Sequence, residues 1–134
     1  MRVKQYMSAS PLTIHVDEDY GAAFDIMQTR DLHHLPVINA KDEIVGIVAR
    51  RDLQLAARFF HEAQAEIADV MHAPVVTIDA EASLATAAER MASERIGCLP
   101  VIDADRHLVG MLTETDLFRA LRDLLEAQGV GTEG

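Results

Sequence analysis

Cysteine, aromatic residues and positive charge are all scarce in this chain of 134 residues. The single cysteine, Cys98, excludes an internal disulfide and a thiolate metal cluster. Aromatic residues make up 4% of the chain and tryptophan is absent, so a core must come from the aliphatic residues and methionine among the 49% that are hydrophobic. The length suits one compact domain.

Long apolar runs are missing as well. No stretch approaches the 18 apolar residues that a membrane-spanning helix needs, and Met1–Tyr6 lacks the apolar centre of a signal peptide. We therefore predict a soluble, cytoplasmic protein.

Acidic residues outnumber basic ones by 22 to 12, and the formal net charge is −10. Nucleic acids and anionic membrane surfaces attract proteins through Lys and Arg, so neither is an expected partner. Net charge does not exclude a small anionic ligand, because such a ligand responds to a few local groups and helix ends.

The chain contains an internal repeat. Residues 3–53 align with residues 67–117 at a constant offset of 64, without gaps, and 15 of the 51 pairs are identical. The matches include Met7 with Met71 and Leu35–Ile38 with Leu99–Ile102. Such periodicity predicts one structural unit used twice. We place the repeats at 1–64 and 65–128, with a joint at 64–68 and a flexible tail at 129–134.

Each repeat predicts the element order β-α-β-β-α. A short extended run (12–14; 76–78) precedes a helix with one apolar face, and Ser83 is a suitable N-cap for the second of these helices. Two strands around a turn follow, and a last helix begins near Arg51 or Thr115. One repeat is too small to bury a sufficient core. We therefore predict an α/β (α+β) fold in which two pseudo-symmetric repeats pack sheet to sheet.

The ordered pattern Met, Thr-Ile, Ala, Met, Leu-Pro-Val-Ile, Val-Gly and Asp-Leu, present twice, resembles the tandem CBS-domain pair, or Bateman module. Residues 110–121 also resemble CBS pairs of the acetoin-utilisation regulatory type. The resemblance implies a regulatory, energy-sensing protein that requires no cofactor and binds AMP, ADP or ATP in the clefts between its halves. It also implies homodimers formed through the helices of a disc, and an effector protein as the partner.

The resemblance assigns ribose recognition to Asp52 and Asp116, each at the end of a strand and the start of a helix. A hydroxyl residue three positions earlier completes the family pattern. Thr113 supplies it in the second repeat, and Ala49 departs from it in the first. The alternative is that both carboxylates only cap their helices.

Phosphate recognition is expected from His33 and His34 and from the first turns of the last helices, at Arg50, Arg51 and Thr115. In the family the two halves share each cleft, so the resemblance pairs Asp116 and Thr113 with the histidines, and Asp52 with Gly97. The cleft of Asp116 is then expected to be the better-equipped one. The alternative for the histidines is an ordinary exposed loop. Because few cations flank either cleft, AMP or ADP is favoured over ATP.

Adenine would require a flat apolar slot. The expected lining residues are Leu12, Leu32, Ile47, Met111, Val76, Ile96 and Gly97. Aliphatic residues at such spacings also suit an ordinary core, so both interpretations stay open.

Motifs of catalysis are missing, which predicts that the protein is not an enzyme. We find no nucleophile elbow, no Gly-rich phosphate loop and no paired catalytic carboxylates. The histidines at 33, 34, 61 and 72 lack zinc-site spacing, so no metal site is expected. Cys98 is interpreted as a buried small side chain.

Two functional hypotheses follow. The first is a nucleotide sensor that signals to a partner protein, and the second is an interaction module without ligand. Apolar side chains on the helices suggest a dimer surface, since they exceed what one core can bury. These residues are Phe24, Phe59, Phe60, Phe118, Leu124 and Leu125.

Overall fold

The computed structural model describes residues 1–59 and 66–129. Its strands are β1 (Ser8–Ala9), β2 (Ile14–His15), β3 (His34–Ile38), β4 (Ile44–Ala49), β5 (Ile78–Asp79), β6 (Cys98–Ile102) and β7 (Leu108–Thr113). Its α-helices are α1 (Tyr20–Arg30), α2 (Arg50–Phe59), α3 (Ile67–Val70), α4 (Leu84–Glu94) and α5 (Glu114–Ala127).

Local sequence explains where α1 and α4 begin and end. Asp19 accepts a hydrogen bond from the Ala22 amide at 3.0 Å, and Ser83 accepts one from the Thr86 amide at 3.1 Å. The N-cap predicted at Ser83 is therefore confirmed. Both helices end at a residue in the left-handed conformation, Asp31 and Arg95, which are equivalent positions of the repeat. Ends of this kind satisfy the last free carbonyls of a helix.

Two mixed sheets carry the strands. One has the order β2-β3-β4, and the other has the order β1-β7-β6-β5. β2 and β5 run parallel to the strands they join, whereas β4 is antiparallel to β3 and β1 is antiparallel to β7. The predicted α/β fold with two β-α-β-β-α repeats is confirmed, with α2 and α5 each starting one residue before the predicted position.

The chain forms two compact units. The first-repeat unit comprises Pro11–Val76 with Arg106–Leu108, and the second-repeat unit comprises Met1–Ser10, Thr77–Asp105 and the chain from Val109 onwards. In the first-repeat unit the buried core contains Ile14, Ala23, Met27, Leu35, Val37, Val48, Leu53 and Ile67. Helical and strand periodicity had marked most of these positions.

The ends of the repeats show an exchange that sequence alignment does not indicate. Residues 1–10 open the first repeat, yet they belong to the second-repeat unit, where β1 pairs with β7. The matching segment after the first repeat stays with the first-repeat unit, where His72 forms an isolated bridge with Ile47 of β4. Each sheet therefore gains a short edge segment from the chain that enters the other repeat.

Part of the predicted joint is helical. Ile67 begins α3, and the Asp69 carboxylate accepts a hydrogen bond from the Glu66 amide at 3.1 Å. Phe60, the start of the predicted joint and most of the predicted tail lie outside the described part of the chain, which omits residues 60–65 and 130–134. No helix in the described residues is long and apolar enough to cross a membrane.

Candidate functional site

The predicted residues Arg50, Arg51 and Asp52 lie where β4 meets α2, and Thr113, Thr115 and Asp116 lie at the equivalent junction of β7 and α5. The first-repeat unit holds His33, His34, Arg50, Arg51, Asp52, Leu12, Leu32, Ile47 and Val76. The second-repeat unit holds Thr113, Thr115, Asp116, Met111, Ile96 and Gly97. The pairing of Asp116 with the histidines draws on both units and stays a prediction.

In each unit a backbone hydrogen bond joins the first residue of the helix to the residue just before a strand, β3 in the first-repeat unit and β6 in the second-repeat unit. The Arg50 amide donates to the His33 carbonyl at 2.9 Å. At the equivalent place, the Glu114 amide donates to the Gly97 carbonyl at 3.1 Å. The structure thus brings the predicted phosphate residues of the first repeat close to the helix that carries Asp52.

Asp52 lies at the junction of the first-repeat unit with 19% of its side chain exposed. Its Oδ2 accepts a hydrogen bond from the Ala49 amide at 3.0 Å. The Nε2 atom of His72 lies 3.1 Å from Oδ1 and 3.0 Å from Oδ2. His72 itself is 69% exposed, so water reaches the outer side of this pair.

Asp116 is enclosed to a much greater degree, with 2% of the residue exposed. Its Oδ2 accepts hydrogen bonds from the Thr113 amide at 2.9 Å and the Thr113 hydroxyl at 3.1 Å. Its Oδ1 accepts a third from Nη1 of Arg119 at 3.1 Å. Thr113 and Asp116 form a capping box at the start of α5, as the alternative interpretation of this carboxylate expects.

The Arg50 side chain contacts the C-terminal end of α1. Its Nη2 donates to the Met27 carbonyl at 2.9 Å and lies 3.5 Å from Oδ1 of Asp31. The guanidinium therefore satisfies the C-terminal end of α1, where a cation is favourable. Arg51 and His33 are exposed, and His34 is half-buried.

The expected adenine residues differ in exposure. Leu12 is 45% exposed and Met111 is 8% exposed. Leu32 packs against the core of the first-repeat unit, which favours the core interpretation at that position. Ile47, Val76, Ile96 and Gly97 are half-buried.

The carboxylate of Glu114 lies beside Gly97, whereas the repeat offset places Arg50 at the equivalent position of the first repeat. A Cβ atom on Gly97 would lie 3.4 Å from Oε1 of Glu114. Burial, and to a smaller extent the charge of Glu114, raise the pKa of Cys98 to about 12. The buried position predicted for Cys98 is confirmed.

Sequence reasoning missed the contacts of His72 with Asp52 and of Arg119 with Asp116. Arg119 was detectable, since it follows Asp116 by three residues on a helix, a spacing at which side chains meet. His72 was not, because it comes 20 residues after Asp52. The repeat offset places Leu55 opposite Arg119 and Ser8 opposite His72, so neither interaction can form in the other unit.

Only some of the apolar residues proposed for the dimer surface are exposed. Phe24 is half-buried and packs against the core of the first-repeat unit. On α5, by contrast, Phe118 is 66% exposed, Leu121 50%, Leu124 44% and Leu125 36%. The side chain of Phe59 and all of Phe60 lie outside the described part of the chain.

Comparison with known proteins identifies one family. The model of the CBS domain matches residues 3–58 and again residues 67–123. A CBS domain-containing protein of Dictyostelium discoideum is 33% identical over 135 residues, which is 92% of this chain and 93% of the relative. Enzymes match as well, but the chain spans only about a fifth of their length. Inosine-5′-monophosphate dehydrogenase of Methanocaldococcus jannaschii, for example, is 29% identical over 81% of this chain and 21% of the enzyme.

Solved structures agree with this assignment. The CBS domain pair of protein MJ0100, crystallised with 5′-methylthioadenosine and S-adenosyl-L-methionine, superposes with a TM-score of 0.82 at 26% identity. That match covers 92% of this chain and 98% of the other. An acetoin utilization protein (AcuB) of Vibrio cholerae superposes with a TM-score of 0.81 at 32% identity, covering 98% of this chain and 97% of the other.

Proposed function

Because the chain belongs to the CBS-domain family, whose model it matches twice, we propose that it is a regulatory module that binds an adenosine-containing ligand and signals to a partner protein. The observation that carries the proposal is the Asp52 carboxylate at the junction of β4 and α2, partly open to solvent. A carboxylate in this place can accept hydrogen bonds from both hydroxyls of a ribose.

The surroundings of Asp52 suit the rest of a nucleotide. Arg51 and His33 are exposed next to the start of α2, and Arg50 is fixed beside them. These groups, with the helix N-terminus, favour an anion such as the 5′-phosphate. The bound adenosine ligands of the MJ0100 pair support the same ligand class for this chain.

Thermal unfolding with AMP, ADP, ATP, S-adenosylmethionine and 5′-methylthioadenosine tests the proposal, with GMP as the base-specific control. A ligand at 100 times its Kd adds about 2.7 kcal/mol to the free energy of unfolding. We expect a rise of several degrees with at least one adenosine ligand and none with GMP. No rise with any of them would reject the nucleotide function.

The Asp52→Asn variant locates the response. Each variant is compared with its own ligand-free melting temperature, since Asp52 also has a structural contact with the Ala49 amide. We expect Asp52→Asn to abolish the ligand-induced rise. Asp25→Asn, at an exposed site on α1, is the matched control and should keep it. A full response in Asp52→Asn would remove Asp52 from the site.

A second candidate function is a homodimeric interaction surface on α5. Phe118, Leu121 and Leu125 follow the spacing i, i+3, i+7, and all three are exposed. An apolar stripe of this size suggests a partner helix, and a second copy is the simplest partner. Phe118→Asp should convert a dimer to a monomer in analytical ultracentrifugation, whereas Glu126→Lys on the same helix should not. A wild-type protein that sediments as a monomer would reject this surface.

A further inference from the structure

Donors from the same chain occupy most of the hydrogen-bonding positions of the Asp116 carboxylate. An ionised carboxylate has about four positions for hydrogen-bond donors, two on each oxygen. The amide and hydroxyl of Thr113 occupy both positions on Oδ2, and Arg119 occupies one on Oδ1. A ribose diol donates one hydrogen bond to each oxygen, and it would meet two donors already on Oδ2 and one on Oδ1.

Burial makes the Arg119 contact hard to give up. Asp116 has 3% of its side chain exposed, and a buried charge that loses its partner is costly. Arg119 is 57% exposed, so it covers the carboxylate from the solvent side. A ligand must therefore displace Arg119 before it reaches Asp116.

Asp52 is held in a weaker way. Ala49 offers its amide but no hydroxyl, so the second position on Oδ2 is left to His72, whose Nε2 lies 3.0 Å from that oxygen. His72 is 69% exposed and can turn into water when a ligand arrives. The position equivalent to Arg119 is Leu55, which cannot form an ion pair with Asp52.

We propose that Arg119 closes the Asp116 site, so that each chain binds its adenosine ligand at Asp52 alone while Arg119 is in place. Arg119 is a positioning residue that determines which of the two aspartates accepts ribose. The inference rests on the proposed nucleotide function. It reverses the expectation that the complete Thr113–Asp116 pattern marks the better site, because Arg119 adds a third donor to a carboxylate that Thr113 already contacts twice.

Isothermal titration calorimetry of the full chain with AMP and with 5′-methylthioadenosine tests the proposal through stoichiometry. We expect about one ligand per chain for the wild type and about two for Arg119→Leu, which installs the residue of the first repeat. Binding of the second ligand should be lost in the double variant Arg119→Leu/Asp116→Asn. Binding of the single wild-type ligand should be lost in Asp52→Asn.

Two controls separate this role from general effects. Arg122→Leu removes the same charge one turn further along α5, where Arg122 contacts Asp123, and should leave the stoichiometry at about one. Arg119→Lys can still donate to Oδ1 and should also stay near one. If Arg119 acted only through its charge, its loss would weaken the binding of AMP and leave uncharged 5′-methylthioadenosine unaffected. A second bound ligand seen with both compounds therefore indicates that the Asp116 carboxylate has become accessible.

The reverse exchange provides a test that does not depend on the folding of Arg119→Leu. Leu55 is 46% exposed, so Leu55→Arg should fold normally, and the new arginine should pair with Asp52. We expect it to weaken AMP binding by about tenfold or more, the cost of displacing a charge-assisted hydrogen bond. Unchanged affinity would count against closure by arginine.

The outcomes that would overturn the inference are distinct from failure of the function. Two ligands on the wild type, or one ligand on both the wild type and Arg119→Leu, would reject closure while the nucleotide function stands. Binding by Arg119→Leu but not by the wild type would support the role of Arg119 and overturn the assignment to Asp52. No binding by any variant would reject the nucleotide function, and the inference with it.

Discussion

At the scale of single residues, two glycines allow the edge segments to reach the sheets. A Cβ atom on Gly46 would lie 2.5 Å from Sδ of Met71 and 3.0 Å from the His72 carbonyl oxygen. On Gly110 it would lie 2.5 Å from Sδ of Met7 and 2.9 Å from the Ser8 carbonyl oxygen. The repeat alignment pairs these same glycines and methionines, so their identity reflects one packing contact formed twice.

We predict that Gly46→Ala destabilises the protein by about 1–3 kcal/mol, because the added methyl overpacks a tight contact. Urea unfolding measures the change. Shortening Met71 to Ala in the same chain should recover part of the loss, since the sulfur is the closer obstacle and the backbone oxygen remains.

Gly21→Ala is the matched control for this prediction. Gly21 lies in the first turn of α1, and its added Cβ would meet only the end of the Asp19 side chain at 3.2 Å. Alanine favours a helix over glycine by up to about 1 kcal/mol, so this variant should be neutral or stabilising. Equal losses in both alanine variants would contradict the packing argument.

At the scale of elements, the N-terminal segment attaches to the second-repeat unit through charged pairs as well as backbone hydrogen bonds. Nζ of Lys4 lies 2.7 Å from Oε1 of Glu81, and the Val3 and Lys4 amides donate to the Ala82 and Ala80 carbonyls. The hydrogen bond from Lys4 lowers the pKa of Glu81 below its ordinary value, against a smaller opposing effect of burial.

A lowered carboxyl pKa in the folded state means that the stabilising contribution is present above the ordinary pKa of Glu and is lost as the pH falls through the lowered value. We therefore predict that acid loosens residues 2–5 before the rest of the unit unfolds. The amide resonances of Val3 and Lys4, followed by NMR from pH 6 to pH 3, report this step.

Glu81→Gln should remove most of this pH response, and Glu89→Gln, at an exposed site on α4, should leave it unchanged. A smaller acid response should persist in Glu81→Gln. The hydroxyl of Tyr6 donates to Asp123 at 2.7 Å, and this bond, with Arg122, also lowers the pKa of Asp123. A titration identical in Glu81→Gln and the wild type would contradict the assignment.

At the scale of the whole molecule, the structural units do not coincide with the sequence repeats. The second-repeat unit contains residues 1–10, with Val3 fully buried and β1 paired to β7. Residues 71–72, which open the second repeat, belong to the first-repeat unit. The boundaries predicted from the repeat, 1–64 and 65–128, mark the two copies of the duplicated sequence, and the compact units have different boundaries.

We predict that deletion of residues 1–10 destabilises the second-repeat unit selectively. The deletion removes the buried Val3 side chain, the edge strand β1 and the methionine that covers Gly110. Hydrogen exchange should accelerate in α4 and β6, whereas α1 and β3 should keep their protection. Equal acceleration in both repeats, or in neither, would contradict the division into units.

The sequence by itself determined the repeat, the order of its elements, the N-cap at Ser83 and the CBS family. These features rest on spacings of 2, 3.6 and 64 residues and on capping motifs, all of which are local or periodic along the chain. The tertiary structure alone decided that residues 1–10 join the second-repeat unit and that His72 contacts Asp52. It also decided how far each aspartate is buried, and hence that the complete Thr113–Asp116 motif is the more closed of the two. Contacts between distant segments govern these properties, and no spacing along the chain encodes such contacts.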